Sequence, residues 1–293
     1  MITKVAVTQM SCGWDVGKNI EKAECLLREA ASKGAGIVLL QELFMNRYFC
    51  QDQNPDFFRF AEEIDGNENI RRFSELAREL SIVIPLSFYE RRNNALYNSV
   101  LMIDADGTNL GVYRKTHIPH DCGYWEKFYF TPGDTGFKVW RTAYGSVGVG
   151  ICWDQWFPEA ARAMALQGAD ILMYPTAYGS QPGYDEDTVS VWQRVMQGHS
   201  AANAIPVCAS NRIGREEGES TSIMFYGSSF ITDGTGGIRA EASKNEESVV
   251  TASFNFDELR RERDDWCFFR DRRPVMYDVL LSKDGKEIYK RSI

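Results

Sequence analysis

A cysteine, a glutamate and a lysine, each placed just past an apolar run, are the residues whose types and spacing could do covalent chemistry in this chain. Cys152 follows Val147-Gly148-Val149-Gly150-Ile151 and precedes Trp153-Asp154. Glu42 follows Ile37-Val38-Leu39-Leu40-Gln41, and Lys115 follows Leu110-Gly111-Val112-Tyr113-Arg114. A buried strand that breaks into a turn presents its last side chain at the sheet edge, so three such breaks can converge a carboxylate, an ammonium and a thiol. The thiolate is the nucleophile, and a free thiol is mostly protonated at neutral pH, so it needs a base or a cation beside it. A carboxylate made more basic by burial can take that proton. An ammonium can hold the oxyanion of a tetrahedral intermediate, and the backbone N–H of Trp153, one residue past the thiol, is a natural second donor.

Histidine is the usual partner of a catalytic cysteine, but only His117, His120 and His199 exist here, and no cysteine has papain-like or caspase-like surroundings. Each residue alone has an ordinary alternative. A buried cysteine is mostly a small hydrophobe, and Cys208, inside Pro206-Val207-Cys208-Ala209, reads as one. Cys12, Cys25, Cys50, Cys122 and Cys267 have no strand-end context and read as structural. Glu42 and Lys115 could form a simple ion pair. Two histidines with Asp121 in one loop are weak evidence for a metal, and none is expected.

The elements that must position these groups alternate between strand and helix. Met1 to Val7 alternates like a strand, then Ile20, Ala23, Leu27 and Ala30 recur at helical spacing, with Gly34 placed to end that helix. A second helix carries Ile70, Phe73, Leu76, Ala77 and Leu80 and leads into a strand from Ile82 to Phe88. Strands at Ser99–Asp104 and Leu110–Arg114 flank Asp104-Ala105-Asp106-Gly107, a hairpin turn. After Cys152 a helix starts near Pro158, a good first-turn residue, and runs to Gly168. The strand Ile171–Tyr174, a helix over Val189–Asn203, strands at Val207–Ser210 and Ser228–Thr232, and a last helix near Asp257–Asp264 follow. No linker or repeat interrupts the pattern. One α/β domain is expected over 1–265, with helices covering sheet, and a tail over 266–293.

Composition sets outer bounds. At 293 residues, 44% hydrophobic and 25% charged, the chain can bury a sizeable core. A net charge of −8 argues against a general nucleic-acid binder. No run approaches a membrane span, and the start lacks a signal peptide's long apolar stretch. Seven scattered cysteines read as reduced thiols in a cytoplasmic protein.

Three segments carry a resemblance. Gln41-Glu42-Leu43-Phe44, Tyr113-Arg114-Lys115-Thr116-His117-Ile118-Pro119 and Gly150-Ile151-Cys152-Trp153-Asp154 resemble, in order, the three signature blocks of the nitrilase superfamily of carbon–nitrogen hydrolases. The resemblance implies a four-layer αββα sandwich and a triad: Glu42 as general base, Lys115 as electrostatic stabiliser, Cys152 as nucleophile. It also implies a second glutamate near the lysine, matched by Glu126 in Tyr124-Trp125-Glu126-Lys127-Phe128-Tyr129-Phe130. No cofactor is implied.

Longer words are similar to the N-carbamoylputrescine amidase branch. They are Tyr48-Phe49-Cys50-Gln51, Glu126 to Asp134, Cys152 to Glu159, Trp192 to His199 and Tyr226 to Phe230. That branch implies a cationic ureido substrate and a homo-oligomer, dimeric or larger, with the C-terminal tail reaching an interface. One position departs: His120 stands where the branch usually carries an acid. A buried ammonium needs a carboxylate and aromatic walls, for which Asp121, Asp187, Tyr48, Trp125 and Trp153 are candidates. The rival readings are a β-ureidopropionase-like or aliphatic amidase, or a scaffold that keeps the fold without the chemistry.

Overall fold

The computed structural model describes residues 2–181, 183 and 187–286. In the first half, β1 (Ile2–Gln9) leads into α1 (Val16–Ser32), and β2 (Ile37–Leu39) follows. Asp15 caps α1 by accepting the Lys18 N–H, and Ile20, Ala23, Leu26, Leu27 and Ala30 form its buried stripe. α2 (Glu68–Leu80) is capped by Asn67 and turns its Ile70, Phe73, Leu76 and Ala77 the same way. A meander of β3 (Ile84–Arg92), β4 (Ala95–Ile103) and β5 (Asn109–Arg114) completes this half. The β4–β5 turn closes with Gly107 at φ +85°, where a side chain would be strained.

β1 and β2 are parallel, and β2 joins β3 through Val38 N–H to the Val83 carbonyl and Val83 N–H to the Gly36 carbonyl. The second half begins with the short helix α3 (Glu126–Tyr129), then β6 (Val139–Thr142), β7 (Gly145–Val149) and α4 (Pro158–Leu166). β8 (Ile171–Pro175), α5 (Val189–Asn203) and β9 (Val207–Ser210) continue it, with α5 bounded as the sequence pattern predicts. A separate hairpin, β10 (Ile213–Glu217) with β11 (Ser222–Tyr226), precedes β12 (Phe230–Thr232) and β13 (Ile238–Glu241). The six strands of the second sheet run β13-β12-β9-β8-β7-β6.

The chain then returns to the first sheet. β14 (Ser248–Asn255) pairs antiparallel with β1 along its whole length, from Ile2 opposite Asn255 to Gln9 opposite Ser248. The sequence pattern does not mark this strand, because a one-faced edge strand is defined by its partner more than by its own run. α6 (Phe256–Trp266) follows, and the last described elements are two short 3-10 turns at Pro274–Met276 and Asp278–Leu281.

Alternation along the strands decides the layers. Val5, Val7, Ile37, Leu39, Val100 and Tyr113 of the first sheet face Val147, Val149, Ile171, Met173, Cys208 and Ile231 of the second. Ala6, Val38, Leu86 and Leu101 point the other way, onto α1 and α2. Leu172, Tyr174, Val207 and Ala209 likewise meet α4 and α5 through Met164, Trp192 and Met196. The result is the expected αββα sandwich. Among the described residues, no helix is long and apolar enough to cross a membrane.

Candidate active site

The ends of β2, β5 and β7 meet between the sheets. β7 stops at Val149, and Cys152 begins a 3-10 turn over Cys152–Trp156 with φ +41°. A non-glycine residue held at positive φ is strained, and such strain persists only where the surrounding structure holds it. Gly150 permits the turn: a Cβ there would sit 2.8 Å from Tyr174 Cε1. Glu42 lies beyond β2 beside a second positive-φ residue, Leu43 at +50°. Lys115 directly follows β5, its N–H bonded to the Asn98 carbonyl at 2.8 Å. Gly133 donates to the Lys115 carbonyl and lies so close to this backbone that a Cβ would be 2.1 Å from the Arg114 carbonyl oxygen.

Lys115, Glu42 and Glu126 are fully buried and bonded to one another. The Lys115 ammonium donates to Glu42 Oε1 at 2.8 Å and to Glu126 Oε2 at 2.6 Å. Burial alone would favour neutral lysine, but the two carboxylates outweigh it and hold the ammonium well above its ordinary value. Burial pushes the Glu126 carboxyl up to about 7, with Lys115 pulling it down and Glu42 raising it. Tyr48 donates its hydroxyl to Glu126 Oε1 at 2.8 Å, and Asn98 donates to Glu42 Oε1 at 2.7 Å. Glu42 Oε2 is buried with no hydrogen-bond partner among the described residues. That oxygen is the one free to take a proton.

Burial raises the Cys152 thiol well above its ordinary value, Glu42 adds to the rise, and Lys115 and a hydrogen bond from the Ala177 backbone oppose it. The resting group is therefore held as a thiol, and forming its thiolate would need a neighbouring base. Cys12 and Cys208 are also pushed up by burial, but neither lines the cavity at this site.

A cavity of about 400 Å³ opens onto Cys152 and Glu126. Its walls include Trp153, Tyr124, Tyr178, His120, Asp121 and Gln181. Asp121 accepts from Gln181 Nε2 at 2.6 Å and from the Cys122 N–H at 2.7 Å. The sequence-derived candidates therefore separate. Asp121 and Trp153 line the cavity. Tyr48 lies behind it, holding Glu126. Trp125 packs edge-on against His120, outside the lining. Asp187 also lies outside the lining, pairing with Lys244 and accepting the Val189 N–H. Sequence reasoning did not single out Tyr124, Tyr178, Gln181 or Asn98, whose loop and mid-strand positions carry no signal of their own. Among the described residues no group of three or more His, Cys, Asp or Glu could hold a metal ion.

The chain matches the carbon–nitrogen hydrolase family over residues 4–264. An N-carbamoylputrescine amidase from Oryza sativa subsp. japonica is 57% identical, aligned over 97% of this chain and 96% of that protein. A citrullinase from Francisella tularensis is 53% identical over 96% of this chain and 98% of its own length. The crystal structure of a carbon–nitrogen hydrolase from Helicobacter pylori G27 superposes with a TM-score of 0.91, at 39% identity, covering 97% of this chain and 99% of that one. With three strand ends delivering Glu42, Lys115 and Cys152 into one buried cluster of an αββα sandwich, the chain belongs to the carbon–nitrogen hydrolases of the nitrilase superfamily.

Proposed function

We propose that this protein is an N-carbamoylputrescine amidase that works through a cysteine thioester. The observation that carries the reading is the cavity itself. Its lining holds Cys152, the aromatic rings of Tyr124, Tyr178 and Trp153, and Asp121. No arginine or lysine stands among the described lining residues. Such a site suits a neutral ureido group joined to an ammonium, which Asp121 would pair with and the rings would flank. The likeness to the Oryza N-carbamoylputrescine amidase supports the same substrate.

In the first half-reaction Glu42 takes the Cys152 proton on Oε2 as the sulfur bonds to the ureido carbon. The oxyanion is held by the Lys115 ammonium and the Trp153 N–H. Glu42 returns the proton to the departing nitrogen, the carbon–nitrogen bond breaks, and ammonia leaves a carbamoyl thioester on Cys152. Glu42 then takes a proton from water as its oxygen attacks the thioester carbon. Breaking the carbon–sulfur bond returns the proton to Cys152, and the released carbamic acid divides into amine and carbon dioxide. Glu126, bonded to Lys115 and Tyr48, keeps the ammonium in place.

A second reading, hydrolysis of citrulline, draws on His120. Its side chain lines the cavity beside Asp121, and an amino-acid head would present a carboxylate and an ammonium together. Measuring kcat/KM for N-carbamoylputrescine, citrulline and N-carbamoyl-β-alanine separates the readings. Preference for the first, lost on replacing Asp121 by asparagine, is expected. Preference for citrulline, weakened by His120→Ala, would replace the substrate while keeping the chemistry.

The exposed apolar side chains of the tail, among them Trp266, Val275, Leu280 and Leu281, support a homo-oligomeric reading, with 266–286 at a contact between copies. Residues 287–293 of that tail lie outside the described residues. Seven cysteines without a disulfide fit a reducing cytoplasm.

A further inference from the structure

Asp154 is a fully buried carboxylate, absent from the cavity lining, that takes no part in the proton transfers above. It nevertheless accepts four hydrogen bonds. Oδ2 accepts the Ile151 N–H at 2.9 Å and the Tyr113 hydroxyl at 2.7 Å. Oδ1 accepts the His117 N–H at 3.0 Å and His117 Nδ1 at 2.7 Å. A carboxylate only accepts, so Nδ1 is the ring nitrogen that carries the proton. Ile151 is the residue before the nucleophile, and Tyr113 and His117 flank Lys115 on either side. One side chain thus ties the end of β5, in the first sheet, to the end of β7, in the second. The His117 ring also lies flat on Phe157, the residue closing the turn that Cys152 begins, with centroids 3.6 Å apart and planes 6° apart.

The two sheets meet through packed side chains, and among the described residues no β-ladder pairs a strand of one with a strand of the other at this point. Lys115 and Cys152 sit on opposite sides of that seam. Their separation must be held to a fraction of an ångström for the ammonium to meet the developing oxyanion. We propose that Asp154, gripping His117 and Tyr113, is a positioning residue that fixes Lys115 against Cys152 across the two sheets. Through Ile151 it also steadies the strained backbone from which the thiol projects.

The test uses the full chain and reads the thiol directly, so it stands apart from the proposed substrate. Iodoacetamide alkylation of Cys152 is followed by peptide mass spectrometry, with exposed Cys25 as the internal reference. His117→Phe keeps a ring over Phe157 but has no donor for Asp154, whereas His117→Asn keeps a donor near Nδ1 and loses the ring. Alkylation of Cys152 is expected to change severalfold in His117→Phe and to stay near the wild-type rate in His117→Asn, while Cys25 reacts equally in all. On the preferred ureido substrate, kcat should fall roughly tenfold to a hundredfold in His117→Phe with KM little changed. Asp154→Asn should fall further, and if it does not fold, the two His117 variants decide. Equal behaviour of His117→Phe and wild type, or equal loss in both His117 variants, would overturn the proposal.

Discussion

Glu42, the proposed general base, has one oxygen committed and one free. Oε1 accepts from Asn98 and Lys115, which leaves Oε2 as the atom that would carry the proton in the proposed mechanism. Replacing Asn98 with leucine should lower kcat roughly tenfold to a hundredfold, the worth of a hydrogen bond to a charged group, and steady-state kinetics would read it. Glu126 sets the expected pH dependence. Its carboxyl is pushed up to about 7 by burial, so below that pH it takes up a proton and loses its hold on the Lys115 ammonium. The kcat/KM profile should therefore fall on the acid side of about 7, and Glu126→Gln should lower activity and remove that limb. A limb unchanged in Glu126→Gln would assign it elsewhere. At this scale the sequence was informative where a reactive residue follows an apolar run, as Glu42, Lys115 and Cys152 do. It was silent on Asn98, whose partner lies on another segment and whose own neighbours read as ordinary strand.

The loop that carries Glu42 is held by Arg212, a guanidinium with no exposure. Its Nη2 donates to the carbonyls of Glu42, Leu43 and Asn46 at 2.7 to 3.0 Å, while Nη1 meets Glu216 at 3.1 Å. Three carbonyls converging on one cation explain how Leu43 is kept at positive φ, with the Ser87 hydroxyl taking its N–H. Arg212→Met leaves Glu216 without this partner and should destabilise the fold by about 3–5 kcal/mol, seen in urea unfolding. Arg212→Lys keeps the charge without the fork and should still lower kcat, because the Glu42 loop loosens. Unchanged stability in Arg212→Met would contradict this account of the loop. The sequence marked helices and central strands because their apolar spacing repeats. β14 escaped it because the strand is made by β1, a partner from the opposite end of the chain.

At the scale of the whole molecule, the two packed sheet layers bring their strand ends together, so the site exists only when both halves have packed. The tail leaves Val275 at 76% and Leu280 at 59% exposure, apolar surface that a contact between copies would cover. Light scattering should give a mass that is a multiple of 33.3 kDa, reduced when Val275 and Leu280 are both changed to aspartate. A wild-type monomer would refute the assembly. The covalent step is the centre of the account, and one measurement reaches it most directly: peptide mass spectrometry after rapid acid quench of the wild type and Cys152→Ala turning over N-carbamoylputrescine. A carbamoyl adduct on the Cys152 peptide is expected, with both adduct and ammonia release lost in Cys152→Ala. Continued turnover by Cys152→Ala would contradict it.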